Sequence, residues 1–173
     1  MMSVFGLTND EVEYKMLNVE RYKKDRVSMR PFIENEITED LFITCDITPN
    51  HPKKDSVCKL VARRNDVNYD QARRVYSIDG CSPCLTTTGS PQILVDGRIR
   101  TITGREAYRF MGVREEDINL LLTTSLSNTA HVALAGNSIC VPVMEAIFSE
   151  FFSEYMEEKE PVMSNPINET SND

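Results

Sequence analysis

The side chains best able to do chemistry here are five cysteines, a threonine run, nine arginines between residues 63 and 114, and a Gly136-Asn137-Ser138 turn ahead of Val141-Pro142-Val143. Cys81 and Cys84 make a lone Cys-x-x-Cys. Zinc would need two more ligands at workable spacing, and His51, His131 and the other cysteines offer no second pair, so no metal is expected. A nucleophilic thiolate needs an electropositive or helix-terminal setting and a partner acid or base. No such partner accompanies Pro83-Cys84, and Cys84 is read as a packed thiol. An odd, irregularly spaced set of cysteines points to reduced thiols in a cytoplasm.

The hydroxyls of Thr86, Thr87 and Thr88 are of the kind that contact phosphate without reading sequence. Arg73, Arg74, Arg98 and Arg100 flank them. The whole chain carries a net charge of −8, but residues 63–114 hold 9 arginines against 5 acids, a local +4. Residues 115–173 hold 1 basic and 11 acidic side chains. Arginine without lysine suits bidentate contacts to phosphates and bases, so the middle is the part expected to meet DNA. Asn137 and Ser138 admit two readings: hydrogen-bonding groups for a polar small molecule, or caps for the helix that starts at Val141.

These residues must be positioned by elements that the patterning predicts. Val12, Met16, Val19 and Tyr22 recur at helical spacing over residues 8–31, and Pro31 closes that element. Strands are expected at Leu41 to Ile47, Val57 to Val61, Arg74 to Ile78 and Gln92 to Val95, with turns at Thr48 to Pro52, Asp79-Gly80 and Asp96-Gly97. Thr103-Gly104-Arg105-Glu106 fits a capping box opening a helix that stops near Gly112. A short helix over Asp117 to Ser125 follows, then one started by Pro142 with Val143, Ile147, Phe151 and Tyr155 four apart on one face. His131 is read as a structural residue at a helix end. From residue 158 the acidic, polar tail is expected to be disordered. No run of about 18 uncharged apolar residues is read, so no membrane span is expected, and Met1 to Gly6 lacks the features of a secretory signal.

Three blocks now fall in order: Arg74-Val75-Tyr76-Ser77-Ile78-Asp79-Gly80-Cys81-Ser82-Pro83-Cys84-Leu85-Thr86-Thr87, Arg100-Thr101-Ile102-Thr103-Gly104-Arg105-Glu106-Ala107-Tyr108-Arg109, and Gly136-Asn137-Ser138-Ile139-Cys140-Val141-Pro142-Val143. Together they resemble the back part of the cytosine-5 DNA methyltransferases. The sequence does not contain that family's Gly-rich cofactor loop, its Pro-Cys-Gln nucleophile block or its Glu-Asn-Val block. It departs also at Ala130 to Ala135, where the family has an aromatic-Lys-Gln stretch.

The resemblance implies a mixed α/β fold: an irregular β-rich target-recognition lobe over residues 1–102 (1–34 helical), and a helical segment over 103–157 that completes a partner's doubly wound cofactor-binding domain. It implies that Leu85, Thr86 and Thr87 lie on DNA phosphate, that Arg105 and Glu106 buttress the recognition lobe, and that Asn137 and Ser138 help to hold S-adenosylmethionine. No residue of this chain is then catalytic. The protein would be the smaller subunit of a split enzyme, inert alone, acting on double-stranded DNA with a larger subunit that carries the nucleophilic cysteine. It would sit in the cytoplasm of a prokaryotic or phage-infected cell, without a membrane. The alternative is a non-catalytic remnant kept as a DNA-binding or regulatory protein.

Overall fold

A computed structural model describes residues 26–87 and 89–157, with side chains as far as residue 152. The expected helix over residues 8–25, Thr88 and the tail from 158 lie outside the described residues. Of the described residues, those up to Met144 form one compact unit, and 145–157 belong to another.

The first unit is built on six strands: β1 (Phe42–Ile43), β2 (Ile47–Pro49), β3 (Leu60–Arg64), β4 (Arg74–Ser77), β5 (Gln92–Val95) and β6 (Arg98–Thr101). They form one sheet in the order β1-β6-β5-β4-β3-β2. Every pair is antiparallel except β4 with β5, where Val75 faces Gln92 in a parallel register. A parallel pair forces the chain to travel back along the sheet before the second strand begins. Residues 78–91 make that return as a loop, and this loop carries Leu85 and Thr86. β5 and β6 are joined at Asp96 (φ 49°) and Gly97 (φ 77°), a turn whose two left-handed residues match the twist of the strands.

Several elements depart from expectation. The single strand predicted over Leu41 to Ile47 is divided into β1 and β2. Pro49 lies inside β2, where the turn was expected, because β2 is an edge strand and an edge tolerates a missing N–H. The strand predicted at Val57 to Val61 is displaced to Leu60–Arg64. Asp79-Gly80 makes the expected turn, with the Gly80 N–H donating to Ser77 O at 3.2 Å, but the turn leads into the return loop and not into a hairpin. Gly80 is required by closeness instead, since a Cβ there would sit 2.6 Å from the Lys59 backbone nitrogen. Pro31 lies within a short 3-10 turn, Arg30–Phe32, and does not close a helix there.

Four helices follow or interrupt the strands in this unit: α1 (Asp70–Arg73), α2 (Gly104–Phe110), α3 (Glu115–Leu121) and α4 (Asn128–Asn137). α2 opens on the predicted capping box, with Thr103 Oγ1 accepting from the Glu106 N–H at 3.0 Å and Glu106 Oε2 accepting from the Thr103 N–H at 2.9 Å. It ends at Gly112, whose φ of 76° is the left-handed stop. α4 was not anticipated. It packs on α2 through Gly104, where a Cβ would lie 2.5 Å from His131 Cβ. His131 lies within α4 and not at its end, is buried, and pairs its Nδ1 with the Tyr108 hydroxyl at 3.1 Å.

Ile78, Leu85, Ile93, Ile102, Ala107, Tyr108, Ile118, Val132 and Ala135 form one buried cluster. Strands and helices therefore share a core, and the expected boundary at residue 102 is not a division between compact units. The final helix, α5 (Val141–Glu157), starts where Pro142 was expected to start it, with the Val141 N–H donating to Met111 O at 2.8 Å. Asn128–Phe152 is long and apolar enough in composition to cross a membrane, contrary to the reading of the sequence. The extended backbone at Ser138 (ψ 165°) breaks it into two helices, and His131, Val132 and Ala135 are built into the core.

Candidate functional site

The return loop, α1 and the start of β5 enclose a cleft of about 410 Å³, and Tyr69, Arg74, Tyr76, Cys84, Thr86 and Gln92 are among its walls. Two of the expected phosphate ligands thus share one cavity. Arg74 is aimed by Asp70 one helical turn earlier, which accepts from both its Nε (2.9 Å) and its Nη2. The same carboxylate accepts from Arg63. Arg74 first and Arg63 second hold the Asp70 carboxyl below its ordinary range, and Asp70 in turn raises Arg74. All three side chains are partly open to solvent, so a phosphate can compete with Asp70 for either guanidinium.

The other arginines do not converge there. Arg73 turns away and donates from Nε to Arg64 O at 2.8 Å. Arg98 lies at the far end of the β5–β6 hairpin, pairing with Glu39 at 2.6 Å and stacking 3.6 Å from the Phe42 ring centroid. Arg100, expected on DNA, is 1% exposed. Both its Nη atoms bind Glu106, at 2.8 and 2.6 Å. It is an internal ion pair and cannot reach phosphate.

Glu106 is satisfied by four donors, since the Glu34 and Thr103 backbone N–H groups, both at 2.9 Å, complete its two oxygens. Glu106 therefore ties β6, α2 and the residue-34 segment together. Of two partners open to Arg105 and Arg109, Glu106 or the recognition lobe, the lobe is the one they reach, Arg105 through Glu34 and Arg109 through Phe32 O at 3.2 Å. Arg105 reaches Glu34 (3.3 Å), Glu115 (2.8 Å) and Asn119 (2.9 Å), and Arg109 takes Glu115.

Thr86 and Gly89 bridge to one another across a tight loop, and Thr87 is exposed beside them. Cys84 is exposed on the cleft wall and not packed, its thiol donating locally to Leu85 O at 3.5 Å. Among the described residues no group of three or more metal-ligating side chains occurs.

The Gly136-Asn137-Ser138 turn serves the preceding helix, not the following one. Asn137 is the last residue of α4 and Ser138 its C-terminal cap, the hydroxyl donating to Ala135 O at 2.7 Å. Gly136 is packed against the threonine loop. A Cβ on it would lie 2.8 Å from the Thr86 carbonyl carbon and oxygen. The third block is thereby seated on the first, and Asn137 and Ser138 stand exposed at that junction.

Sequence reasoning missed Tyr69, Tyr76 and Gln92 in the cleft. Nothing local marks them, because the parallel β4–β5 pairing is what brings residues 69–76 to residue 92.

The family model for C-5 cytosine-specific DNA methylases matches residues 6–153 of this chain. The type II methyltransferase M2.ScrFI of Lactococcus lactis subsp. cremoris is 46% identical over 130 residues, covering 73% of this chain and 34% of that protein. The orphan methyltransferase M.Rho11sI of Bacillus phage rho11s is 40% identical over 62 residues, covering 36% of this chain and 12% of that protein. The chain thus spans about a third or less of the length of these relatives. Among solved structures, the Schizosaccharomyces pombe Dnmt2 methyltransferase matches with a TM-score of 0.53 at 16% identity, over 79% of this chain and 45% of that one, a likeness in fold alone.

Proposed function

The chain belongs to the C-5 cytosine-specific DNA methylase family, and from that premise we propose that it supplies the target-recognition region and the last cofactor-side turn of a DNA (cytosine-5)-methyltransferase. The nucleophilic cysteine and the Gly-rich cofactor loop come from a larger complementing subunit. The observation that carries this is the seating of Gly136 on the Thr86 backbone. It sets the turn assigned to the cofactor beside the loop assigned to DNA.

S-adenosylmethionine fits the turn in part. The Asn137 amide is exposed and offers both donors and an acceptor, whereas the Ser138 hydroxyl proton is engaged by Ala135 O and leaves only lone pairs to offer. When bound, that group supplies the methyl. This chain's residues orient and exclude: Asn137 binds the polar edge of the cofactor, Arg74 and the Thr86 loop hold the DNA backbone, and the Arg100–Glu106 pair keeps the recognition strands fixed on α2. Relatives from a bacterium and a phage favour action on DNA in the cytoplasm of such cells.

Co-expression tests the proposal. Transfer of tritiated methyl from S-adenosylmethionine to double-stranded DNA is expected only when this chain is combined with a second chain bearing the Pro-Cys-Gln block, and Asn137→Ala should weaken cofactor binding to that complex about tenfold. Methylation by this chain alone would refute the division of labour. DNA binding without methylation under every pairing would favour a non-catalytic partner instead.

A further inference from the structure

Every lysine among the described residues, Lys53, Lys54 and Lys59, lies in one region of the fold. Backbone hydrogen bonds bring three stretches of chain together there. The Met29 N–H donates to Gly80 O at 2.9 Å and the Arg30 N–H to Ile78 O at 3.1 Å, while the Ser77 N–H donates to Lys59 O at 2.8 Å and the Cys81 N–H to Val57 O at 2.9 Å. Arg26 Nη1 reaches Asp55 O at 3.5 Å, in the Lys54-Asp55 turn. Arg30 pairs with Asp79 at 2.6 Å. That carboxyl is held below its ordinary range chiefly by Arg30, with Ser77 and Lys59 behind it.

These cations differ from the rest. From Arg63 to Arg114 every arginine except Arg73 is paired with a carboxylate. Lys53, Lys54 and Lys59 form no salt bridge among the described residues, and Arg26 meets a carbonyl. Five cations, four of them exposed, thus stand against two carboxylates, Asp55 and Asp79, in a chain whose net charge is −8. Like charges gathered by the fold repel one another, so the patch is unfavourable until an anion arrives. Lysine carries a point charge on a flexible stem, which suits phosphate whatever the bases.

The cleft supplies the continuity. Arg74 on its wall and Asp79 in the patch lie on one run of chain, β4 and its continuation, so no more than about 17 Å separates their Cα atoms. Stacked base pairs rise about 3.4 Å each. A DNA backbone held at Arg74 therefore comes to the patch within about five base pairs. Resting on the DNA-recognition reading above, we infer that Arg26, Arg30, Lys53, Lys54 and Lys59 form a second phosphate-binding surface, which holds the duplex backbone up to about five base pairs beyond the cleft and reads no sequence.

Fluorescence anisotropy of the full chain on labelled duplexes, over a salt series, tests this. Replacing Lys53, Lys54 and Lys59 together by Gln should weaken binding about tenfold or more at about 0.1 M salt, and should cut the salt slope by about 0.9 for each phosphate released. Lys53→Gln with Lys54→Gln, both exposed, should already cut the slope, which keeps the test open should replacing half-buried Lys59 disturb the fold. Arg114→Gln, on α3 and outside the patch, should leave the slope unchanged. The shortest duplex that gives wild type its full slope should be up to about five base pairs longer than the one that serves the lysine variant. An unchanged slope in the lysine variants, or an equal loss in Arg114→Gln, would overturn this inference while leaving DNA recognition through Arg74 standing. A loss that persists on duplexes too short to span both places would overturn it too, since one set of phosphates would then serve both. A wild-type chain that binds no duplex would overturn the inference and the reading on which it rests.

Discussion

Glu106→Gln is the most demanding test of the architecture. The carboxylate is wholly buried and takes four donors: Arg100 Nη2 (2.6 Å) and the Glu34 N–H (2.9 Å) on Oε1, Arg100 Nη1 (2.8 Å) and the Thr103 N–H (2.9 Å) on Oε2. Glutamine keeps the shape. It removes the charge that balances Arg100, and it turns one oxygen into an NH₂ facing two donors. Losing one partner of a buried ion pair costs about 3–5 kcal/mol, mostly because the remaining charge is left uncompensated. With a urea dependence of about 2 kcal/mol per molar for a unit of this size, the denaturation midpoint followed by circular dichroism should fall by roughly 2 M. Against a typical total stability of about 5–15 kcal/mol, that is a large share. Arg100→Met combined with Glu106→Gln should cost clearly less than the sum of the two single variants, because neither then leaves a lone buried charge. A loss under about 1 kcal/mol in Glu106→Gln, or strict additivity in the double variant, would mean that water reaches the pair and that burial is not what makes it matter.

Three further outcomes are expected. Asp70→Asn releases Arg63 and Arg74 together, so DNA affinity measured by fluorescence anisotropy should rise and its salt dependence should steepen by about 0.9 log unit for each phosphate gained; an unchanged slope would remove both arginines from the interface. Gly136→Ala forces a Cβ to within 2.8 Å of the Thr86 backbone, a rigid neighbour, and should destabilise the protein by about 1–3 kcal/mol in thermal or urea melts. The carboxyls of Asp70, Asp79 and Glu115 are held below their usual range by Arg74, Arg30 and Arg109 respectively. Their contribution is complete above the unfolded carboxylate range near pH 4, and is lost as pH falls through the lowered folded values. Melting temperature should therefore drop below about pH 4, and less so in Asp79→Asn, whose partner Arg30 is already unpaired.

Features that rest on neighbours along the chain are legible in the residues alone. Thr103 and Glu106 form a capping box because three residues of helix bring their groups together, whatever lies beyond. Asp96-Gly97, Gly112 and Pro142 act through their own backbone preferences, and each is found where those preferences put it. The three blocks pointed to the family for the same reason, as an order of local patterns. Tertiary structure decided the rest. Arg98 and Arg100 alternate onto the same face of β6, yet one is half exposed on Glu39 and the other sealed against Glu106, a difference set by what covers each end of the strand. α4 escaped notice because its apolar residues form no single stripe, since it packs against α2 on one side and the threonine loop on another. Of the two readings of Asn137 and Ser138, the capping one assigns them to α5, whereas they close α4. Gln92 finds Ala72 O as the acceptor for its Nε2 only because a parallel pairing, invisible in either strand alone, brings residue 72 beside it. Contacts within a turn are dictated by covalent neighbours, but burial and charge pairing depend on which distant surface arrives, and that is a property of the fold.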